Sequence, residues 1–291
     1  MSESNRSSSI LLFLLLTLIW GTSFILIKQG LKVFSPDEVG AIRVAAASLF
    51  LLPLAITRLK DLQPHHYAKL FASGMLGIFI PAFLFATAQT RMDSSVAGIM
   101  NTLTPIFTMT IGAIVFKLRF KSIAIVGILL GFAGGVILGF SRADGSVSFN
   151  MFALLIVLAC FCYGSNLNLI KFKIPDLGSL VITSVSLLLI GPLALIYLFR
   201  FSDFAQTLTT QPGAWKAFGF IVLLGFMSTA VATILFNRLV KISTALFASS
   251  VTYALPIVAV MWGVLDGEQL GIGHFIGMAA IIGGVYLANR K

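Results

Sequence analysis

Charge is what this chain has least of. Lys, Arg, Asp and Glu together make 10% of its 291 residues, against 58% hydrophobic residues and a mean hydropathy of +1.02. Soluble domains carry charge at about a quarter of their positions, so a water-soluble globular domain is excluded and an integral membrane protein is implied. Cysteine is nearly absent. Cys160 and Cys162 lie two apart inside an apolar run, where a helix points them away from each other; no disulfide is expected, and they say nothing of redox compartment. Histidine is equally sparse. His65 and His66 are adjacent, about 100° apart on a helix, with no further ligand near in sequence, so no metal is expected there; His274, alone near a helix start, reads as structural. Walker loop, H-E-x-x-H and G-x-S-x-G are all missing, and the hydroxyls of the apolar stretches have no nearby carboxylate or histidine. An enzyme is therefore not expected, nor a cofactor. Basic residues outnumber acidic ones, 20 to 10, but they are scattered over short connections rather than gathered on one face, which argues against a nucleic-acid partner.

What is present is apolar length. Ten stretches can each cross a bilayer as a helix: 10–27, 38–57, 68–88, 95–115, 121–140, 150–170, 178–199, 214–236, 245–264 and 271–288. The first follows Arg6 and a Ser-rich tail and superficially resembles a secretory signal. Its 18 positions, Ile10 to Ile27, exceed a signal's apolar region, and Trp20-Gly21-Thr22-Ser23-Phe24 stands where a cleavage pattern belongs, so it reads as a retained helix. Connections are short, leaving no room for a soluble domain. Thirteen basic residues fall on the side of the N-terminus: Arg6; Arg58, Lys60 and Lys69; Lys117, Arg119 and Lys121; Lys171 and Lys173; Arg238 and Lys241; Arg290 and Lys291. Seven fall opposite: Lys28, Lys32, Arg43, Arg91, Arg142, Arg200 and Lys216. The excess marks the cytoplasmic face and puts both termini inside.

The ten stretches form two halves, 1–145 and 146–291, that resemble each other. Trp20-Gly21 with Lys28 corresponds to Tyr163-Gly164 with Lys171; Pro105-Ile106 with Gly112 corresponds to Pro256-Ile257 with Gly263; Gly134-Gly135 corresponds to Gly283-Gly284. Because five is odd, equivalent halves must sit upside down relative to each other, the inverted-repeat plan of many secondary transporters. Loop charge agrees with that inversion. Lys117, Arg119 and Lys121 follow the fourth stretch, whereas Asp266 and Glu268 follow the ninth with no basic residue beside them.

These segments resemble the EamA-type branch of the drug/metabolite transporter superfamily over essentially the whole length. The resemblance rests on Ile19 to Phe24 with Lys28, Pro36 and Arg43 after it, on Asn101 to Thr108 around Pro105, and on Pro256 through Gly267-Glu268-Gln269-Leu270 to Gly283-Gly284. One departure stands out: Lys117-Leu118-Arg119 occupies the place where the family often has a Gly-Glu pair, so no function is given to that pair in the first half. The resemblance implies ten helices, a central cavity between the halves, and transport of amino acids or other small metabolites, commonly export, without naming the substrate. A multi-pass protein of the bacterial cytoplasmic (inner) membrane is expected, with the lipid bilayer and a small-molecule substrate as its partners.

Candidate site residues lie where apolar runs are interrupted. Asn101, Thr102, Thr104 and Thr108 flank Pro105, and Ser249, Ser250, Thr252 and Tyr253 precede Pro256. A proline removes one backbone hydrogen bond, and broken backbone is tolerated at membrane depth when buried in protein or lining a water-filled cavity. Either the prolines merely bend helices, or the pair shapes a midplane substrate site; their symmetry favours the site. The first stretch adds Trp20, Thr22 and Ser23, and the sixth adds Tyr163, Ser165, Asn166 and Asn168. An amide in hydrocarbon needs a partner, so Asn166 is expected in the bundle interior. Trp20 is read either as a stacking surface or as part of an interfacial belt. Phe79, Pro81 and Phe83 form an apolar wall or, on the favoured reading, plain packing; Arg43 binds a carboxylate or, on the favoured reading, snorkels or bonds backbone carbonyls. Glycines at 127, 131, 135 and 139, with Gly273 and Gly277, allow close helix approach, inside one chain or between the two chains of a homodimer, so monomer and homodimer both stand.

No Asp or Glu lies well inside any stretch, so proton coupling has no support and uncoupled movement stands beside it. The expectation is an all-α integral membrane protein of ten helices in two inverted five-helix repeats, alternating access to a neutral, partly aromatic cavity. Trp20, Asn101, Thr104, Tyr163, Asn166 and Tyr253 are expected to touch substrate, with Pro105 and Pro256 shaping the site. A lining without fixed charge suits neutral or zwitterionic amphipathic solutes. An uncoupled facilitator is the alternative, and a non-transporting membrane scaffold a weaker one.

Overall fold

The computed structural model describes residues 3–119, 121–141, 149–242, 248 and 250–289. Arg142, Ser249, Arg290 and Lys291 lie outside the described residues, as do the side chains of Arg6 and Ser250 and the surroundings of Gly139. Every regular element among the described residues is helical: α1 Glu3–Leu31, α2 Pro36–Arg58, α3 Pro64–Ala88, α4 Ser94–Phe116, α5 Ser122–Phe140, α6 Ala153–Lys173, α7 Ser179–Arg200, α8 Phe204–Thr210, α9 Ala214–Ile242, α10 Leu255–Leu265 and α11 Ile272–Asn289. Seven segments are long and apolar enough to cross a membrane, namely Ile10–Leu31 of α1 with α2, α3, α4, α6, α7 and α9. Shorter apolar helices, Ser122–Leu138, Val251–Leu265 and Ile272–Gly284, occupy the fifth, ninth and tenth stretches. The apolar pattern did not announce the short helix α8, between α7 and α9.

Local chemistry explains the helix ends. α2 begins with Pro36 in its first turn behind a reciprocal cap, in which Glu38 N–H donates to Ser35 Oγ at 3.2 Å and Ser35 N–H donates to Glu38 Oε2 at 2.9 Å. α4 and α10 finish alike. Lys117 (φ 54°) and Gly267 (φ 83°) turn left-handed, and the next amide folds back onto a helix carbonyl: Leu118 N–H to Gly112 O at 3.0 Å, Glu268 N–H to Gly263 O at 2.9 Å.

Among the described residues, irregular helical turns interrupt the bundle in pairs. α3 carries a π turn at Met75–Phe79 and α9 a longer one at Leu224–Val231, while α4 carries a 3₁₀ turn at Asn101–Leu103 and α10 is preceded by one at Ser250–Tyr253. The helices pack as α5 on α11, α2 on α7, α4 on α6 and on α10, α1 on α10 and α9, and α6 on α3. Between α5 and α11 the backbones nearly touch. A Cβ on Gly134 would fall 2.7 Å from Gly277 O, and one on Gly284 2.5 Å from Gly127 O, while Gly131 and Gly135 instead face Ile106 and Leu103 of α4. The small-residue stripe is thus spent on packing within the chain, where dispersion must do what water-driven burial cannot do in lipid. Large apolar side chains such as Leu11, Leu14, Leu18, Leu129 and Ile276 remain on the outer surface, the reverse of a soluble protein.

Candidate functional site

The interruptions surround a cavity of about 90 Å³, room for several water molecules at ~15 Å³ each. α1 contributes Trp20, Ser23, Phe24 and Ile27; α2 contributes Arg43; α3 contributes Gly77, Ile78 and Phe85. Asn101 and Thr104 come from α4, Tyr163, Asn166 and Leu167 from α6, and Thr252 from the turn before α10. The largest share comes from α9, with Ser228, Thr229, Thr233, Phe236 and Asn237.

Each interruption leaves backbone or side-chain polarity turned inward. Pro105 has no N–H to donate to Asn101 O, so the chain tightens and Thr104 N–H donates to that carbonyl instead, as a 3₁₀ turn. Thr104 Oγ1 then donates to Asn101 Oδ1 at 3.3 Å. In the π turn of α9, Ser228 O accepts the Trp20 indole N–H at 2.9 Å, and Ser23 and Ser228 hydroxyls share a hydrogen bond at 2.6 Å. Trp20 stands edge-on to Phe236 with ring centroids 4.7 Å apart. Asn166 finds the interior partner its amide requires, accepting from Ser73 Oγ at 2.7 Å, and its Nδ2 occupies the space a Cβ on Gly77 would need. A side chain at Gly77 would require the Asn166 amide to move. Tyr163 stacks on Phe85, and its hydroxyl interacts with Arg43, whose Nε donates to Thr229 Oγ1 at 2.7 Å.

Five of the six residues expected to touch substrate line this cavity: Trp20, Asn101, Thr104, Tyr163 and Asn166. Tyr253 does not; it is partly buried in its 3₁₀ turn against the main apolar core, and its neighbour Thr252 reaches the lining. Pro105 and Pro256 lie in the first turns after the two 3₁₀ turns, shaping the wall without forming it. Asn168 is a clamp between helices, donating to Thr108 O and Gly164 O, both at 2.9 Å. Phe83 packs on Gly40 and Tyr197, so the α3 wall of the cavity is Ile78 and Phe85 rather than the Phe79, Pro81 and Phe83 set. Arg43 overturns the expectation of a lining without fixed charge. It lies two helical turns inside α2, too deep to snorkel, and bonds a neighbouring hydroxyl rather than backbone carbonyls. The α9 residues escaped sequence reasoning, although Thr229, Thr233 and Asn237 at four-residue spacing mark one polar helix face.

A second polar centre lies at the end of α10. The Glu268 side chain is 2% exposed. Its Oε1 accepts from Lys28 Nζ at 2.7 Å, Ser94 N–H at 2.9 Å and Ser94 Oγ at 2.6 Å, and its Oε2 accepts from Ser95 N–H at 2.9 Å and Ser95 Oγ at 2.5 Å. Asp266 adds a second carboxylate to Lys28 at 2.8 Å. One carboxylate thus caps α4 and ties it to α1 and the α10–α11 connection. Burial alone would raise the Glu268 pKa, but Lys28 and the serine donors outweigh it and hold the carboxyl at about 2. Asp93 goes the other way, raised by burial and by the negative charge of Glu268. In the first turn of α3, His66 Nε2 lies 2.7 Å from Asp176 Oδ2, a partner that spacing in the sequence did not bring near. His66 Nδ1 accepts Gln63 N–H at 3.0 Å, so Nε2 carries the proton and donates it to Asp176. That tautomer makes the group a clasp between α3 and the α6–α7 connection. His274 caps its own helix the same way, Nδ1 accepting Gly271 N–H at 3.0 Å.

A bundle of long apolar helices with lipid-type outer faces and a polar, partly aromatic cavity at its centre defines a multi-pass membrane protein. The chain belongs to the EamA-like transporter family, whose profile matches residues 7–140 and again 150–290. An uncharacterised transporter of Archaeoglobus fulgidus is 25% identical over 94% of this chain and 95% of its own. An uncharacterised inner membrane transporter of Escherichia coli, YedA, is 24% identical over 94% of this chain and 88% of its own. A protein of Salmonella typhimurium described as a probable amino-acid metabolite efflux pump is 25% identical over 95% of this chain and 93% of its own. One solved crystal structure shares the fold, with a TM-score of 0.67 at 19% identity over 97% of this chain and 96% of that one.

Proposed function

We propose that the chain is a secondary transporter of small metabolites, amino acids or related amphipathic solutes, which it exports across a bacterial inner membrane by alternating access. On this reading residues 1–145 and 146–291 are two five-helix repeats of opposite orientation, ten transmembrane helices in all, with both termini cytoplasmic. The observation that carries it is the cavity itself, which lies among two pairs of interrupted helices, α3 with α9 and α4 with α10. Broken helices at a repeat interface are where such carriers bind their cargo.

Packing supports the repeat. Exchanging each helix for its counterpart turns the α1–α10 contact into α6–α4 and α6–α3 into α1–α9, while α2–α7, α5–α11 and α4–α10 map onto themselves. The double match to one family profile agrees with two repeated units, the opposite charge of the equivalent connections (Lys117, Arg119 and Lys121 against Asp266 and Glu268) with their inversion, and the thirteen-to-seven division of basic residues with cytoplasmic termini. The efflux pump of Salmonella typhimurium supports the amino-acid class and outward direction. Trp20, Asn101, Thr104, Tyr163 and Asn166 are assigned to solute contact, with Thr252 in place of Tyr253. Counterflow of labelled metabolites in proteoliposomes tests the proposal. Exchange that Asn101→Ala abolishes sustains it; no exchange of any amino acid or related metabolite, or an unchanged Asn101→Ala protein, defeats it.

One observation favours an uncoupled carrier as the second reading: among the described residues, no carboxylate lines the cavity to relay a proton. An imposed pH gradient that drives no uphill accumulation selects it over proton coupling.

A further inference from the structure

Arg43 is the lining side chain with permanent charge. A guanidinium stays protonated in proteins, and a cation drawn from water into a helix bundle is costly unless paired. Its described partners are neutral, the Thr229 hydroxyl at 2.7 Å from Nε and the Tyr163 hydroxyl. The carboxylates in described ion pairs, Asp176, Asp266 and Glu268, are engaged elsewhere by His66 and Lys28. The cavity therefore holds one uncompensated positive charge and no protein anion among the described residues. A guanidinium carries five N–H donors in a planar fork that matches the two oxygens of a carboxylate.

The remaining polar lining is of another kind. Asn101 and Asn166 offer amide oxygens, Thr104 and Ser228 offer hydroxyls, and Trp20 and Phe236 offer ring faces and edges. These groups can accept from an ammonium or pack an aliphatic chain, but they cannot neutralise a second anionic charge. We propose that Arg43 anchors the carboxylate of the transported solute, so that the cavity takes amino acids and other small monocarboxylates and rejects their amide and amine counterparts. The inference rests on the reading of this cavity as the transport site and names the chemical group that site requires.

The test is counterflow into proteoliposomes containing the full-length protein, with L-leucine, L-threonine and L-phenylalanine against their carboxamides, alongside thermal unfolding of the purified protein with the same six compounds. At least one acid is expected to exchange and raise the unfolding midpoint, with its carboxamide at least ~10-fold weaker, and Arg43→Gln is expected to lower acid exchange by roughly 10- to 100-fold, the range of a lost hydrogen bond to a charged group. Arg43→Lys is expected to recover part of it. Carboxamides exchanging as readily as acids overturn the anchor while leaving a transporter, as does a folded Arg43→Gln protein that still prefers acids. No exchange and no shift with any of the six overturns the anchor and the amino-acid reading together. If Arg43→Gln does not fold, the acid-to-amide preference of the unaltered protein decides.

Discussion

The ends of α4 and α10 share a backbone plan and differ in the side chain placed on it. Each finishes in a left-handed residue and a back-folded amide, and each has a glycine whose missing Cβ faces the residue that follows: Gly112 faces Leu118, and Gly263 faces Glu268. Leu118 thus stands in the first half where Glu268 stands in the second, which accounts for the departure at Lys117-Leu118-Arg119. One end is closed by an apolar side chain that is 39% exposed, the other by a buried carboxylate binding three elements. The two helix ends keep one backbone geometry while the side-chain chemistry placed on it differs. In the proposed topology the charged clasp lies on the outer face.

Removing the two side chains should expose that asymmetry most strongly. Glu268→Ala leaves Lys28 with Asp266 alone and the first amides of α4 without their acceptor, and is expected to destabilise the protein by about 2–4 kcal/mol; Leu118→Ala is expected to lose under ~1 kcal/mol. Unfolding of both variants in detergent measures the gap, and equal losses would erase the distinction. Acid probes the same clasp. Glu268 is held at about 2 against 4.5 for the free group, so its contribution is present above pH 4.5 and is lost as pH falls from there toward 2. The unaltered protein should weaken over that window by ~2–3 kcal/mol more than Glu268→Gln does. A smaller effect comes from the glycines. A Cβ on Gly263 would meet Glu268 Oε2 and lie 2.9 Å from Ser95 Cβ, whereas one on Gly112 would meet the movable Leu118 Cδ1 at 3.1 Å. Gly263→Ala should therefore destabilise by about 1–3 kcal/mol and Gly112→Ala by less than ~1 kcal/mol. The smallest expected change is at Gln89, a buried amide at the end of α3 with no hydrogen-bond partner among the described residues. Gln89→Met should be neutral or raise stability by up to ~1 kcal/mol, and a marked loss would mean that the amide is used.

That the chain is a bundle of apolar helices was legible from its apolar runs, of which seven form helices long enough to cross a membrane and three form shorter ones, and Trp20 and Tyr163, paired in the sequence, both line the cavity. Several things were not. A π turn adds a residue without altering composition, so the irregularities of α3 and α9 left no trace in the pattern, and the α9 lining went unnoticed with them. At the second proline the lining residue is Thr252 rather than Tyr253, both of which sit in the 3₁₀ turn before α10 that the apolar pattern does not reveal. Arg43 looked like a residue at a helix end, but α2 begins at Pro36 and carries it two turns deep. Glu268 looked like loop charge because its three partner residues, Lys28, Ser94 and Ser95, lie on α1 and α4, more than 170 positions away.

The claim that the central cavity is the transport path is tested most directly by its accessibility. Ser228→Cys lines the cavity through a conservative change, and Cys160→Ala with Cys162→Ala removes the native thiols. A membrane-impermeant thiol reagent applied to right-side-out and inside-out vesicles should modify Ser228→Cys from both faces, with a transported solute slowing the reaction on each. Modification from one face only, at a rate no solute changes, would contradict alternating access through this cavity.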